Sequence, residues 1–193
     1  MYSVVDLVAA KHLLPLWHDV VQRIQESNDP LKDNYLTINP KDFLSFPAVI
    51  KDDKIICVSG LQGNTKRWGK GVARCSARMW IAPEFRFTGG TRFRSGPKFL
   101  NTYYCVPIQI QVAKDLGYDC LFISREENPR SFKEYGDLVN ANTNSHFKML
   151  SSMYNVCGSL DPIPVSCKQY ILVDFLTSAG PDRWAKIMEK RKM

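Results

Sequence analysis

The stretch from Pro47 to Ile81 constrains the fold more than any other part of this chain. Its apolar residues arrive in short runs without helical spacing. PAVIKDDKIICVSGLQ (47–62) sets two apolar runs around Asp52, Asp53 and Lys54, the pattern of a β-hairpin. NTKRWGKG (64–71) is a second turn, rich in glycine and charge. GVARCSARMWI (71–81) reads as a third strand, which Pro83 stops. Alternation along that strand puts Arg74, Ser76, Arg78 and Trp80 on one face, with Cys75, Ala77, Met79 and Ile81 on the other.

Helical patterns flank this block. Leu14, Trp17, Val20 or Val21, and Ile24 recur at helical spacing, which predicts an amphipathic helix over 4–26, closed by SNDP at 27–30. A short second helix is expected within 31–46, capped near Asn39 with Pro40 in its first position. After an Arg/Gly/Thr/Ser-rich loop at 86–97, a helix is predicted from about Pro97 to Leu116, with a kink or shift at Pro107 and Gly117 as its C-terminal cap. CLFIS (120–124) is continuously apolar, as in a strand buried within a sheet. NPRSFKEYGDLV (128–139) is helical, with Asn128 as cap and Pro129 first. FKMLSSMYNVC (147–157) and KQYILVDFL (168–176) read as two final strands, and DRWAKIMEKRKM as a terminal amphipathic helix. This order describes a single α/β domain over 1–193, with a mixed, mostly antiparallel central sheet flanked by helices.

The net charge is +7, and its location carries more meaning than its size. Within 66–98, Lys66, Arg67, Lys70, Arg74, Arg78, Arg86, Arg92, Arg94 and Lys98 face one acidic residue, Glu84, so this window holds +8 and the remainder is near neutral. Such a concentration points to a polyanionic partner, either nucleic acid or a phosphorylated cofactor. The six cysteines (Cys57, Cys75, Cys105, Cys120, Cys157 and Cys167) are scattered singly, and the three histidines do not cluster. This argues against zinc and against a disulfide framework, so no metal is expected. Most of these cysteines read as small buried hydrophobes. No apolar run approaches the roughly 18–20 residues of a membrane span. The apolar N-terminus lacks a basic start and is broken by Asp6, Lys11 and His12; it is not expected to be a signal peptide, and the cytoplasm is the expected compartment.

Over residues 78–139 the motifs resemble the core of the GNAT N-acetyltransferase superfamily. RMWIAPEFR resembles that family's fourth strand running into its V-x-P-x-x-R turn, here Ile81, Pro83 and Arg86. VAKDLGYDCLFIS resembles the end of its third helix and its fifth strand, with Ala113, Gly117 and Tyr118 matching A-x-x-x-G-Y. NPRSFKEY resembles N-x-x-A-x-x-x-Y, with Asn128 and Tyr135 seven residues apart and Ser131 in place of the alanine. As topology, the resemblance extends over 47–176.

The resemblance implies an enzyme that transfers an acetyl or acyl group from CoA to a primary amine by direct attack on the thioester. Acetyl-CoA or another acyl-CoA is then the cosubstrate, and a small-molecule or peptide amine the acceptor. It places the pyrophosphate at the loop Arg86, Gly89, Gly90 and Thr91, with Arg92 and Arg94 adding charge. The physics is consistent: converging backbone N–H groups at a helix start hold a pyrophosphate, and glycines allow close approach. The pantetheine arm is expected to pair along Met79, Trp80 and Ile81, and Asn128 belongs to the same donor-binding motif. Tyr135 takes the place of the tyrosine that protonates the leaving thiolate.

Several alternatives stay open. The phosphate loop is either 86–91 or RFRSG (92–96) in another register. Where many relatives carry a glutamate on the fourth strand, this chain has Arg74, Ser76 and Arg78. Arg74 and Arg78 are either a solvated strand face or a selector for an acidic acceptor. A catalytically inactive GNAT-fold binding protein is one rival reading, and an acyl carrier protein as donor is a closer variant. A basic nucleic-acid-binding module is another rival, since Trp68, Trp80, Phe85, Phe87 and Phe93 are interleaved with cations.

Overall fold

The computed structural model describes residues 1–29, 32–63, 69–86, 100–125, 129–154 and 168–189. Its strands are β1 (Ser3–Asp6), β2 (Pro47–Lys51), β3 (Lys54–Gly63), β4 (Val72–Ile81), β5 (Cys120–Arg125), β6 (Lys148–Tyr154) and β7 (Lys168–Phe175). Its α-helices are α1 (Leu14–Glu26), α2 (Lys32–Leu36), α3 (Val106–Asp115), α4 (Pro129–Thr143) and α5 (Gly180–Glu189). The strands form one seven-stranded sheet in the order β1-β2-β3-β4-β5-β7-β6. β4 and β5 pair in parallel, whereas β1 with β2, β2 with β3, β5 with β7 and β6 with β7 pair antiparallel. The expected mixed, mostly antiparallel α/β sheet is therefore present. By internal packing the chain forms two compact units, 1–62 with 76–112 and 63–75 with 113–193.

In the first unit, the hairpin β2–β3 turns at Asp52 and Asp53, both left-handed (φ 49° and 57°), a turn geometry that suits the twist of paired strands. α1 buries Trp17, Val20 and Ile24, and Trp17 meets the edge of Phe46 with ring centroids 5.3 Å apart. Phe43 packs on Gly60, where any Cβ would collide with its ring, so this position in β3 has room only for glycine.

The helix expected from residue 4 begins instead at Leu14. Residues 3–6 pair with 47–50 as β1, and Asp6 fixes the exit from that strand. Its carboxylate accepts from the Val8 N–H (3.0 Å), the Phe46 N–H (2.9 Å) and Ser45 Oγ (2.5 Å). Val4, Val5, Leu7 and Val8 fit a helical stripe and a strand about equally well, and tertiary pairing decides between them. Pro15, at the first turn, starts the helix proper. Asn39 caps Pro40 as expected, its side chain accepting from Lys41 N–H, but the element is a single 3-10 turn over Pro40–Asp42.

The second unit packs Val72, Cys120, Phe122, Ile171, Val173 and Trp184 into its own apolar cluster. Gly71 (φ 84°) opens β4, and its carbonyl accepts from the Asp119 and Cys120 N–H groups at 2.8 and 3.1 Å. A clasp closes around that turn. Asp119 accepts from Thr177 Oγ1 (2.6 Å) and pairs with Arg183 Nε (2.5 Å), while Arg183 Nη1 donates to the Lys70 carbonyl (2.9 Å). The Thr177 hydrogen bond, and then Arg183, hold the Asp119 carboxyl below the usual carboxylate range against the opposing cost of its burial. Burial, and secondarily the Asp119 charge, push the Cys120 thiol up to about 12.

Of the helix expected over 97–116, residues 97–99 lie outside the described residues. A π-helical turn, Asn101–Cys105, runs into α3, so the irregularity precedes Pro107 rather than arising at it. Gly117 closes α3 as expected, left-handed at φ 71°, with its N–H on the Lys114 carbonyl.

Candidate functional site

β4 is the element where sequence expectation and structure part most. Strict alternation fails: Val72, Ala73, Cys75, Ser76, Ala77, Trp80 and Ile81 are all buried, and Arg74, Arg78 and Met79 are half-buried. The cause is local. Ser76 (φ 56°) and Arg78 (φ 52°) are left-handed, two non-glycine residues in conformations that strands do not adopt. Each resets which way the following side chains point, as a bulge does.

Among the described residues, the ladder between β4 and β5 pairs Val72, Ala73 and Arg74 with Cys120, Leu121 and Phe122. β4 itself continues to Ile81. The left-handed residues begin where that pairing ends.

Three buried polar side chains, Ser59, Asn101 and Gln109, surround Ser76. Its N–H donates to Gln109 Oε1 (2.8 Å), and its Oγ accepts from Asn101 Nδ2 (2.7 Å). Ser59 Oγ donates to Asn101 Oδ1 (2.5 Å), and Gln109 Nε2 donates to both Ser59 O (2.9 Å) and Ser59 Oγ (2.8 Å). β3, β4, the π-helical turn and α3 each contribute one member. None of Ser59, Asn101 or Gln109 was singled out from the sequence. Their only signal there is position, polar residues inside otherwise apolar segments such as IICVSGLQ and VPIQIQVA.

The residues expected to bind the donor fall into three groups. Met79, Trp80 and Ile81 are the last three residues of β4. Trp80 is 2% exposed, within the core of the first unit, and the Arg23 guanidinium stands 5.4 Å from its ring centroid. That burial leaves Trp80 unable to stack on a nucleic-acid base, while Trp68, Phe87 and Phe93 lie outside the described residues. Arg86 follows the 3-10 turn Pro83–Phe85, donates Nε to the Ile81 carbonyl (2.7 Å), and forms an ion pair with Asp29, whose side chain is 5% exposed. Its guanidinium also stands 5.7 Å from the Tyr35 ring centroid. Arg86 thus ties the end of β4 to the segment after α1. Gly89, Gly90, Thr91, Arg92, Arg94 and Asn128 lie outside the described residues. Tyr135, the expected general acid, sits on α4 in the second unit and is 1% exposed.

Beside the end of β4 lies a cleft of about 200 Å³ lined by Arg23, Ser27, Asp29, Trp80, Pro83 and Glu84. Cys57, Cys75, Cys105 and Cys120 are buried free thiols, as the sequence implied. Burial, reinforced by the neighbouring Cys105, pushes the Cys57 thiol well above its ordinary value. Among the described residues, no helix is long and apolar enough to cross a membrane.

No protein-family model matches the sequence, and no curated protein matches it. Solved structures do match. A probable acetyltransferase from Staphylococcus epidermidis is similar over 92% of this chain and all of its own, with TM-score 0.54 and 16% identity. The ribosomal-protein-S18-alanine N-acetyltransferase of Escherichia coli aligns over 93% of this chain and 97% of its own, with TM-score 0.51 and 15% identity. An acetyltransferase of the GNAT family from Streptococcus pneumoniae aligns over 92% and 100%, with TM-score 0.55 and 9% identity. This chain has the fold of the GNAT acetyltransferases.

Proposed function

We propose that the protein is an acyl-CoA-dependent N-acyltransferase that passes an acetyl or acyl group to a primary amine. The observation that carries this reading is the interruption of β4 by two left-handed residues, Ser76 and Arg78, just past its ladder with β5 at Val72–Arg74. A pantetheine arm, extended and bearing two amides, suits a strand made irregular in this way, and pairs with it as an added strand would. Because Trp80 and Ile81 are buried, that pairing uses the backbone of Met79–Ile81 rather than their side chains. The pyrophosphate is assigned to the loop after Arg86, at Gly89, Gly90 and Thr91 with Arg92 and Arg94. Arg86, held by Asp29, is the last described residue before that loop. Asn128 is kept as part of the donor site at the start of α4.

In the reaction, the amine nitrogen attacks the thioester carbonyl, a C–N bond forms, and the C–S bond breaks. The nitrogen gives up its proton, and the leaving sulfur takes one from Tyr135. The chain's contribution is to position donor and acceptor and to present backbone N–H groups to the developing oxyanion. No glutamate stands on β4 to take the ammonium proton, so a bound water is assigned that role. The acceptor is a small-molecule or peptide amine. Four buried free thiols fit a reducing compartment, and the cytoplasm is the proposed location.

The absence of a carboxylate among Arg74, Ser76 and Arg78 favours a second reading, a GNAT-fold protein that binds acyl-CoA without turning it over. One assay separates the two. Incubation with acetyl-CoA and a panel of primary amines is expected to release free CoA thiol in an amine-dependent way, with the N-acetylated product seen by mass. Saturable acetyl-CoA binding without amine-dependent release selects the binding protein instead.

A further inference from the structure

We infer that the buried network of Ser59, Ser76, Asn101 and Gln109 is a positioning device that holds the β4 backbone in the shape that receives the acyl group, and that Gln109 is its key positioning residue. This deepens the reading above and rests on it. Buried polar side chains are tolerated when fully satisfied, and a satisfied network fixes one geometry where an apolar core would allow several. Here Ser59, Asn101 and Gln109 are fully buried and Ser76 nearly so; Ser59 links Asn101 to Gln109, and these two meet at one residue, Ser76, at its Oγ and its N–H.

That position is the first left-handed residue of β4. In a regular strand the Ser76 N–H would belong to a ladder. Here it donates to a side chain from α3 instead. Asn101 holds the same residue through its hydroxyl, and the π-helical turn that carries Asn101 is itself an irregular element next to α3. Strained conformations of this kind persist only where surroundings over-determine them, and they concentrate at functional positions. Two irregular elements, a bulged strand and a π-helical turn, are thus locked to each other by four side chains.

The place of the thioester follows from the order of the donor's parts. If the phosphates lie after Arg86 and the pantetheine amides pair along Met79–Ile81, the thioester comes further back along β4. Strand geometry, at about 3.3 Å per residue, brings it to the stretch Ser76–Arg78. The network therefore acts on the backbone that meets the acyl carbonyl, and not on the backbone that meets the rest of CoA.

Acetyl-CoA and CoA differ only in that acyl group, so comparing them isolates the effect. Calorimetric titration of Gln109→Leu is expected to lower affinity for acetyl-CoA about three- to tenfold relative to the wild type, the worth of one hydrogen bond. CoA affinity stays within about twofold by the same reasoning. Gln109→Glu, which when protonated keeps an acceptor for the Ser76 N–H and a donor for Ser59, restores the acetyl-CoA affinity. A merely structural role would weaken both ligands together. Should Gln109→Leu fail to fold, Ser76→Gly adopts the left-handed conformation freely and removes the hydroxymethyl group that Asn101 holds; it is expected to lose acetyl-CoA affinity in the same selective way. Equal losses for both ligands, or no change in either, overturn the inference while leaving the donor reading intact. A folded wild type that binds neither ligand overturns both.

Discussion

Tyr135→Phe is expected to slow amine-dependent thiol release about 10²–10³-fold, the usual worth of a general acid, with little change in acetyl-CoA affinity. The substitution is informative because Tyr135 is 1% exposed on α4. Phenylalanine keeps the ring and its buried area, so packing around the helix survives and only the phenolic O–H is lost. A leaving thiolate expelled in a dry environment has no solvent proton at hand, which is where a positioned donor contributes most. The rate should fall because protonation of sulfur becomes slow, while the ground-state complex, which needs no proton from Tyr135, forms as before. A rate unchanged in a variant of unchanged melting temperature would assign Tyr135 to the core alone.

Asp6→Ala is expected to destabilise the fold by about 2–4 kcal/mol, since the lost carboxylate leaves buried donors unpaired. Three donors converge on this side chain: the Val8 N–H, the Phe46 N–H and Ser45 Oγ. Ser45 is fully buried, so water does not replace the lost acceptor. The contact spans about forty residues of sequence and joins β1 to the entry of β2, so its removal frees the first strand rather than one turn. For a chain of this length the melting temperature should fall by about 5–15 °C. Asp6→Asn, which keeps one acceptor oxygen, should lose about half as much by the same accounting. Thermal melts of the three proteins check this; equal melting temperatures for wild type and alanine variant would show that the three hydrogen bonds carry no net stability.

The elements that were legible in the sequence have local causes. Asp52 and Asp53 tolerate the left-handed turn of the hairpin, Gly117 closes α3, Pro83 ends β4, and Asn39 with Pro40 starts a turn. The features that were not legible depend on residues far apart in the chain. β1 carries a pattern that also fits a helix, and only its pairing with β2 settles the matter. The bulge in β4 has no glycine or proline to announce it; Ser76 and Arg78 look like members of an alternating strand until Gln109 and Asn101, from helical segments 25 to 33 residues away, take the Ser76 hydrogen bonds. For the donor site, motif order pointed to β4 and to the GNAT fold, and the structure added that Arg86 is engaged with Asp29 and that Trp80 is a core residue.

The central claim is that this chain binds an acyl-CoA through β4 and the loop that follows it. Calorimetric titration of the folded wild type with acetyl-CoA at low salt, beside Gly90→Trp, tests it most directly. The account predicts saturable binding by the wild type and its loss in Gly90→Trp at an unchanged melting temperature, because a bulky side chain would stand where the pyrophosphate approaches the backbone. A folded wild type that takes up no acetyl-CoA contradicts it.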